Sequence, residues 1–321
     1  MNTMDKADLN LCNTSNIIQS LSGFTLTPLE FTLSPLEKIH LGPDEVKGDR
    51  WRGGFGEALR NLACFYRWEE TECTQCNLTP DCFYFLYFAT NRPHPYIMRP
   101  KLDSKRVYNS GEDMSLEIVL IGEATGHADK FIKTIEELGR TGIGTRRGRF
   151  RIKDVEVRKP VSFRGFFHSE VQSMEELTIE LLTPLKIKDE EKGIYYTEVS
   201  FETLFRLLIK RIINLNNLYC NGRSFDKERI EPEKQDLLTL AGKIETKAYT
   251  EWRDFNRFSS RQHKSLKIGG QLGIIRYNGE IGRFYPYLKM GEVLGVGQHT
   301  TSGFGRYRLL PPEKQEYKVR V

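Results

Sequence analysis

The sequence predicts an α+β protein made of two tandem ferredoxin-like (RRM-like, βαββαβ) domains, with a glycine-rich loop near the C-terminus. Three observations predict it. A glycine-rich motif late in the chain has a weaker copy about 150 residues upstream, and such spacing marks a duplicated domain, because solenoid units recur every ~20–50 residues. Each half of the chain reads in the order strand, helix, strand, strand, helix, strand. A length of 321 residues, 39% hydrophobic and 28% charged, suits two soluble units that each bury a core.

Residues 1–24 are rich in Asn, Ser and Thr and carry early acidic residues, so they read as a polar, mobile N-terminal arm or an extra N-terminal element and not as a signal peptide. The first domain is expected over residues 25–156. It opens with extended segments from Phe24 to His40, broken by Pro28 and Pro35, followed by a glycine-containing turn and helix over Gly48–Phe65 with Phe55, Leu59 and Leu62 on one face. Met114–Ile121 alternates as a strand, and Ala128–Leu138 has helical periodicity. The second domain is expected over residues 157–312. It has a strand at Leu177–Ile187, a long helix at Phe201–Leu218, strands at Thr246–Phe255 and Gly273–Tyr277, a helix near Tyr285–Glu292 and a last strand halted by Pro311-Pro312. Residues 313–321 form a tail. No apolar run approaches the ~20 residues that span a bilayer, which predicts a cytoplasmic protein with no membrane partner.

The most informative stretch is Gly295-Val-Gly-Gln-His-Thr-Thr-Ser-Gly-Phe-Gly-Arg-Tyr-Arg308. Gly295, Gly297, Gly303 and Gly305 allow positive φ and close backbone approach. Successive free amides can then cradle a phosphate, with Arg306 supplying charge; the alternative is a plain turn. A strand and not a helix follows, so neither a dinucleotide fingerprint nor a Walker loop fits. The upstream copy, Leu138-Gly-Arg-Thr-Gly-Ile-Gly-Thr-Arg-Arg-Gly-Arg-Phe-Arg-Ile152, repeats the order of glycines, polar residues and Arg-aromatic-Arg.

Net charge is only +5, but it is segregated. Arg140–Lys153 holds six basic residues and no acid, among them Arg146, Arg147 and Arg149. Arg253–Arg276 holds six more, including Arg257, Arg261 and Lys264 beside His263, opposed only by Asp254. Separated basic patches point to a phosphate backbone, while residues 224–235 mix both signs as a solvated face does. Four of the six cysteines, Cys64, Cys73, Cys76 and Cys82, have the spacing C-x8-C-x2-C-x5-C. In a reducing compartment this favours a closed structural zinc site over disulfides, the alternative being four unliganded thiols.

The C-terminal glycine motif closely resembles the signature of the repeat-associated mysterious proteins (RAMPs) of CRISPR systems. Trp51-Arg-Gly-Gly-Phe-Gly56, the cysteine cluster, Arg92-Pro-His-Pro-Tyr96, Leu182-Thr-Pro-Leu185 and Trp252 through Gly273 resemble the cysteine-bearing bacterial branch of its repeat-specific endoribonucleases. The resemblance covers roughly residues 25–310. It implies binding of CRISPR repeat RNA and cleavage of the precursor within its repeats, with no cofactor for catalysis and effector-complex subunits as further partners. The superfamily also supplies non-catalytic RNA-binding subunits of effectors, which is the alternative reading. Metal-free RNA scission needs a general acid, a general base and charge stabilisation, and histidine suits the first two roles. The candidates are His299 inside the glycine loop, His40 ahead of the first helix and His94 after the cysteine segment.

Overall fold

The structure is a computed structural model and describes residues 15–66, 72–166, 174–189, 191–220, 226–259 and 264–310. In chain order its elements are α1 (Asn16–Ser20), β1 (Thr25–Pro35), β2 (Ile39–His40), α2 (Asp44–Ala63), β3 (Tyr96–Pro100), β4 (Val107–Tyr108), β5 (Met114–Ile121), α3 (Ala128–Thr141), β6 (Phe150–Val157) and β7 (Val161–Ser162). The second half adds β8 (Glu176–Leu185), α4 (Phe201–Tyr219), α5 (Lys227–Ala241), β9 (Glu245–Ser259), β10 (Lys264–Asn278), α6 (Tyr285–Leu294) and β11 (Tyr307–Leu310). The sheets run β3–β5–β1–β6, with β7 also on β1, and β11–β8–β10–β9. Every pairing is antiparallel. In both halves the first and third long strands are central and the second and fourth are at the edges, which is the ferredoxin-like arrangement expected.

Each sheet packs its helices on one face. Leu29, Phe31, Leu33 and Ile118 meet Trp51, Phe55 and Leu59 of α2 and Phe131 and Ile135 of α3. In the second half Ile179, Ile275 and Tyr277 meet Phe201, Phe205 and Leu208 of α4 and Leu288 of α6. The two cores are not independent, because Leu26, Ile97, Val119 and Ile121 of the first sheet belong to the second cluster.

The structure sharpens the sequence reading at three points. Residues 15–24 are the extra N-terminal element and not the mobile arm: Ser15 caps α1, and Ile17, Ile18 and Leu21 are buried in the second core; residues 1–14 lie outside the described residues. Residues 227–235 of the mixed-charge segment form the first part of α5, which keeps the charged side chains largely at the surface and buries Ile230 and, further on, Leu237 and Ala241. Leu62, expected on the core face, is exposed, because the apolar stripe of α2 ends at Leu59.

Helix α2 starts at Asp44 and runs through four glycines at positions 48, 53, 54 and 56, each costing ~1 kcal/mol against alanine in an open helix. Packing explains Gly48: a Cβ there meets the Ser302 carbonyl oxygen at 2.0 Å. The first turn of α2 can approach the C-terminal loop so closely only because Gly48 has no side chain. We expect Gly48→Ala to destabilise the protein by ~1–3 kcal/mol in urea unfolding. Gly53→Ala, where a Cβ meets nothing within 4 Å, should stabilise by up to ~1 kcal/mol. Equal effects of the two would contradict this packing.

Candidate functional site

The C-terminal glycine loop is a buried clasp between the two halves. Phe304 is buried with Val46 of α2 and Ile268 of β10. Thr183 donates its hydroxyl to the Gly303 carbonyl at 2.8 Å and accepts the Arg306 amide at 2.9 Å. The Gly305 amide bonds to the Pro184 carbonyl at 3.0 Å, Gly295 to Gly291 at 2.8 Å and Gly303 to Thr300 at 2.9 Å. These amides are therefore committed internally. Gly303 has φ of 72°, and a Cβ there meets the Met98 carbonyl oxygen at 2.5 Å. The sequence reading placed Gly295, Gly303 and Gly305 against RNA, but all three are buried against protein backbone. Arg306 is likewise turned inward, donating to the Pro100 carbonyl at 3.0 Å; burial pulls its pKa down to about 10, which leaves it charged near neutrality.

What the loop leaves outside is its tip. His299 is exposed, with φ of 59° in the left-handed region, and its ring lies edge-on to Phe304 at 5.8 Å. Non-glycine residues rarely adopt this conformation. Gly297, half-buried, precedes it.

The upstream glycine loop performs the same packing on another segment. A Cβ on Gly144 meets the His40 carbonyl oxygen at 2.3 Å, and one on Gly148 meets that of Lys38 at 2.6 Å. Both glycine loops thus close on one stretch, Lys38 to Gly48, with His40 inside it. His40 belongs to a short ribbon with β4, pairing with Val107, and its shielded Nε2 has no hydrogen-bond partner among the described residues. The ribbon is pinned by a group absent from the sequence reading. Lys47, fully buried, contacts Asp44 at 2.6 Å and Asp103 at 2.7 Å and donates to the Tyr108 hydroxyl at 3.0 Å. Burial works against its charge, but the bonds to Asp103 and Asp44 outweigh it and hold the ammonium above its ordinary pKa. The Asp44–Lys47 spacing was the available signal; Asp103 and Tyr108 come from another loop.

His94 lies elsewhere. Its Nε2 pairs with the Phe88 carbonyl at 3.0 Å and its ring lies against Tyr96. Burial, with smaller contributions from Arg52 and Arg211, pushes its pKa down to about 4 despite that bond. It is a neutral packing residue at pH 7, which argues against the acid or base role expected of it. Of the basic residues, Arg147 pairs with Glu57 at 2.8 Å and Arg149 with Glu37 at 2.8 Å. Both pairs are exposed, so exchanging the carboxylate for a phosphate costs little. Arg146 is exposed and outside such a pair among the described residues. Arg257 and Lys264 lie on β9 and β10, whereas Arg261 and His263 fall outside the described residues.

Cys64 ends α2, and Cys73, Cys76 and Cys82 flank two short turns. All four are half-buried free thiols. Burial, then the neighbouring Cys64 and Cys82, raises the Cys73 pKa. Among the described residues, however, no three His, Cys, Asp or Glu side chains are placed to hold a metal ion. The expected zinc site therefore finds no ligand set in this arrangement. Among the same residues no helix is long and apolar enough to cross a membrane.

Comparison with known proteins agrees with this architecture. Thermus thermophilus Cas6 aligns with a TM-score of 0.53 at 12% identity, over 89% of this chain and 99% of that one. A Cas6 product complex aligns at 0.53 and 14% identity, over 90% and 100%. A chain of a partial Cas6-RT-Cas1–Cas2 complex aligns at 0.55 and 11% identity, over 89% of this chain and 46% of that one. An uncharacterized protein of Archaeoglobus fulgidus is 24% identical over 292 residues, which is 85% of this chain and 93% of that protein. The fold is thus the tandem ferredoxin-like fold of Cas6 structures. Residues 24–179 match a family model described as an N-terminal domain, and residues 179–307 match that of the CRISPR-associated endoribonuclease Cas6. The second half of the chain is thus similar to the Cas6 endoribonuclease family, and the first half to a separately described N-terminal domain.

The His94 environment has a measurable consequence. A pKa lowered in the folded state leaves stability intact above the unfolded value of ~6.5 and removes it as pH falls towards the folded value of about 4. Urea midpoints of the wild type should fall between pH 7 and pH 5, and His94→Gln should show a smaller fall. Equal pH dependence in both proteins would contradict the assignment.

Proposed function

We propose that this protein binds precursor CRISPR RNA and cleaves it within its repeats without a metal ion in the chemical step. The family of residues 179–307 supports RNA cleavage in CRISPR RNA processing. The observation that carries the finer reading is the closure of both glycine loops on the segment holding His40, with His299 on the solvent side of one of them. A base removes the 2′-hydroxyl proton, and the 2′-oxygen bonds to the adjacent phosphorus. The bond from phosphorus to the 5′-oxygen breaks, and an acid protonates the leaving oxygen. The products are a 2′,3′-cyclic phosphate and a 5′-hydroxyl. His299 and His40 are the groups assigned to the acid and base roles, with surface cations such as Arg146 on flanking phosphates.

The alternative is a non-catalytic RNA-binding subunit of a CRISPR effector complex, and the shielded, unpartnered Nε2 of His40 favours it. One experiment separates the two. Purified protein is incubated with repeat RNA in EDTA, beside the same RNA carrying 2′-deoxyribose at the scissile nucleotide. The proposal predicts cleavage of the first, none of the second, and a loss of at least ~100-fold in rate for His299→Ala or His40→Ala at unchanged RNA affinity. Tight binding with no cleavage establishes the alternative, and cleavage that needs added metal or survives the deoxy substitution rejects this chemistry.

A further inference from the structure

The segment after β8 was not singled out by the sequence or used by the chemistry above. Residues 187–189 pair with residues 194–196 in hairpin fashion: the Tyr196 amide donates to the Ile187 carbonyl at 3.1 Å, and that of Asp189 to the Ile194 carbonyl at 2.8 Å. Lys188 and Tyr195 are bridge partners. The hairpin presents Tyr195, still 39% exposed, against Trp252 of β9, with ring centroids 5.5 Å apart and planes 40° apart. The Trp252 indole N–H is satisfied by Asp254 at 2.8 Å, which fixes the ring. Lys186 places its ammonium 4.5 Å from the centre of the Tyr195 ring.

This cluster adjoins the tip of the glycine loop. The Lys186 carbonyl accepts the amide of Gln298, the residue before His299, at 2.8 Å. A Cβ on Gly297 meets the same oxygen at 2.6 Å. A cation and two aromatic rings are thus joined, through the Lys186 backbone, to the loop that carries the exposed histidine. Core packing does not require this: Tyr195 and Trp252 belong to none of the apolar clusters. Aromatic faces bind unpaired nucleobases by stacking, and a lysine beside them meets the adjoining phosphate. An exposed cation–π contact is worth only ~0.5–1 kcal/mol, so Lys186 can readily exchange the ring for a phosphate.

We infer that Tyr195 and Trp252 form a stacking subsite for an unpaired nucleobase of the RNA, next to the phosphate handled at His299, with Lys186 on the neighbouring phosphate. The inference rests on the RNA-processing reading and adds a subsite to it. Dissociation constants at fixed salt are measured for repeat RNAs in which an abasic nucleotide is scanned through the positions around the cleavage site. Wild type, Tyr195→Ala and Tyr195→Phe are compared; Tyr195 lies on the surface, so both variants keep the fold. Wild type should lose affinity at one abasic position by roughly five- to a hundred-fold. Tyr195→Ala should bind intact RNA that much more weakly and be insensitive to that position, while Tyr195→Phe should behave as wild type. Unchanged affinity of Tyr195→Ala, or an abasic profile identical in wild type and Tyr195→Ala, overturns the subsite. If RNA is bound with this pattern but never cut, the nuclease reading fails and the subsite stands.

Discussion

The structure depends on one close contact, the Ser302 carbonyl lying over Gly48 where no side chain intervenes. It brings the first turn of α2 against the C-terminal loop and seats Phe304 on Val46. Around it, three polar contacts tie the halves together. Arg306 reaches the Pro100 carbonyl, Arg99 that of Val293, and the Tyr219 hydroxyl that of Pro93. Charged donors on buried carbonyls are among the stronger hydrogen bonds. The signature glycines are first of all the means by which one domain grips the other.

That grip sorts the histidines. His299 rides on the outward tip of the clasp, His40 lies under the second glycine loop and beside the ribbon that Lys47 pins, and His94 is buried with a backbone partner. The same imidazole is thereby a surface group, a shielded group and a packing group. Lys47 shows how costly the arrangement is to disturb, because removing one partner of a buried ion pair typically costs ~3–5 kcal/mol. Any change that loosens Asp44 or Asp103 is passed to β4 and so to His40.

Much of the fold was legible because its signals are periodic. The alternation of Met114–Ile121 and the apolar stripe of α4 are read directly from spacing, and the duplicated glycine motif marks the same place in both halves. Other parts were hidden for physical reasons. Glycine at positive φ serves approach to a ligand and approach to the chain's own backbone equally well, so the burial of Gly303 and Gly305 was not readable. Arg147 and Arg149 find Glu57 and Glu37 at separations of 90 and 112 residues, which no local pattern reveals. The helix α5 was masked by its mixed charges, and α1 by the polar residues around Ile17 and Ile18. The cysteine spacing was legible as a cluster, but spacing alone does not place thiols around an ion.

Amide hydrogen exchange across Ser302–Arg306 in the RNA-free protein tests the clasp most directly. If the loop is a buried clasp, these amides exchange as slowly as those of the central strands β1 and β8, and adding RNA changes them little. Rapid exchange in the free protein that slows only when RNA binds would show instead an open phosphate cradle and contradict this account.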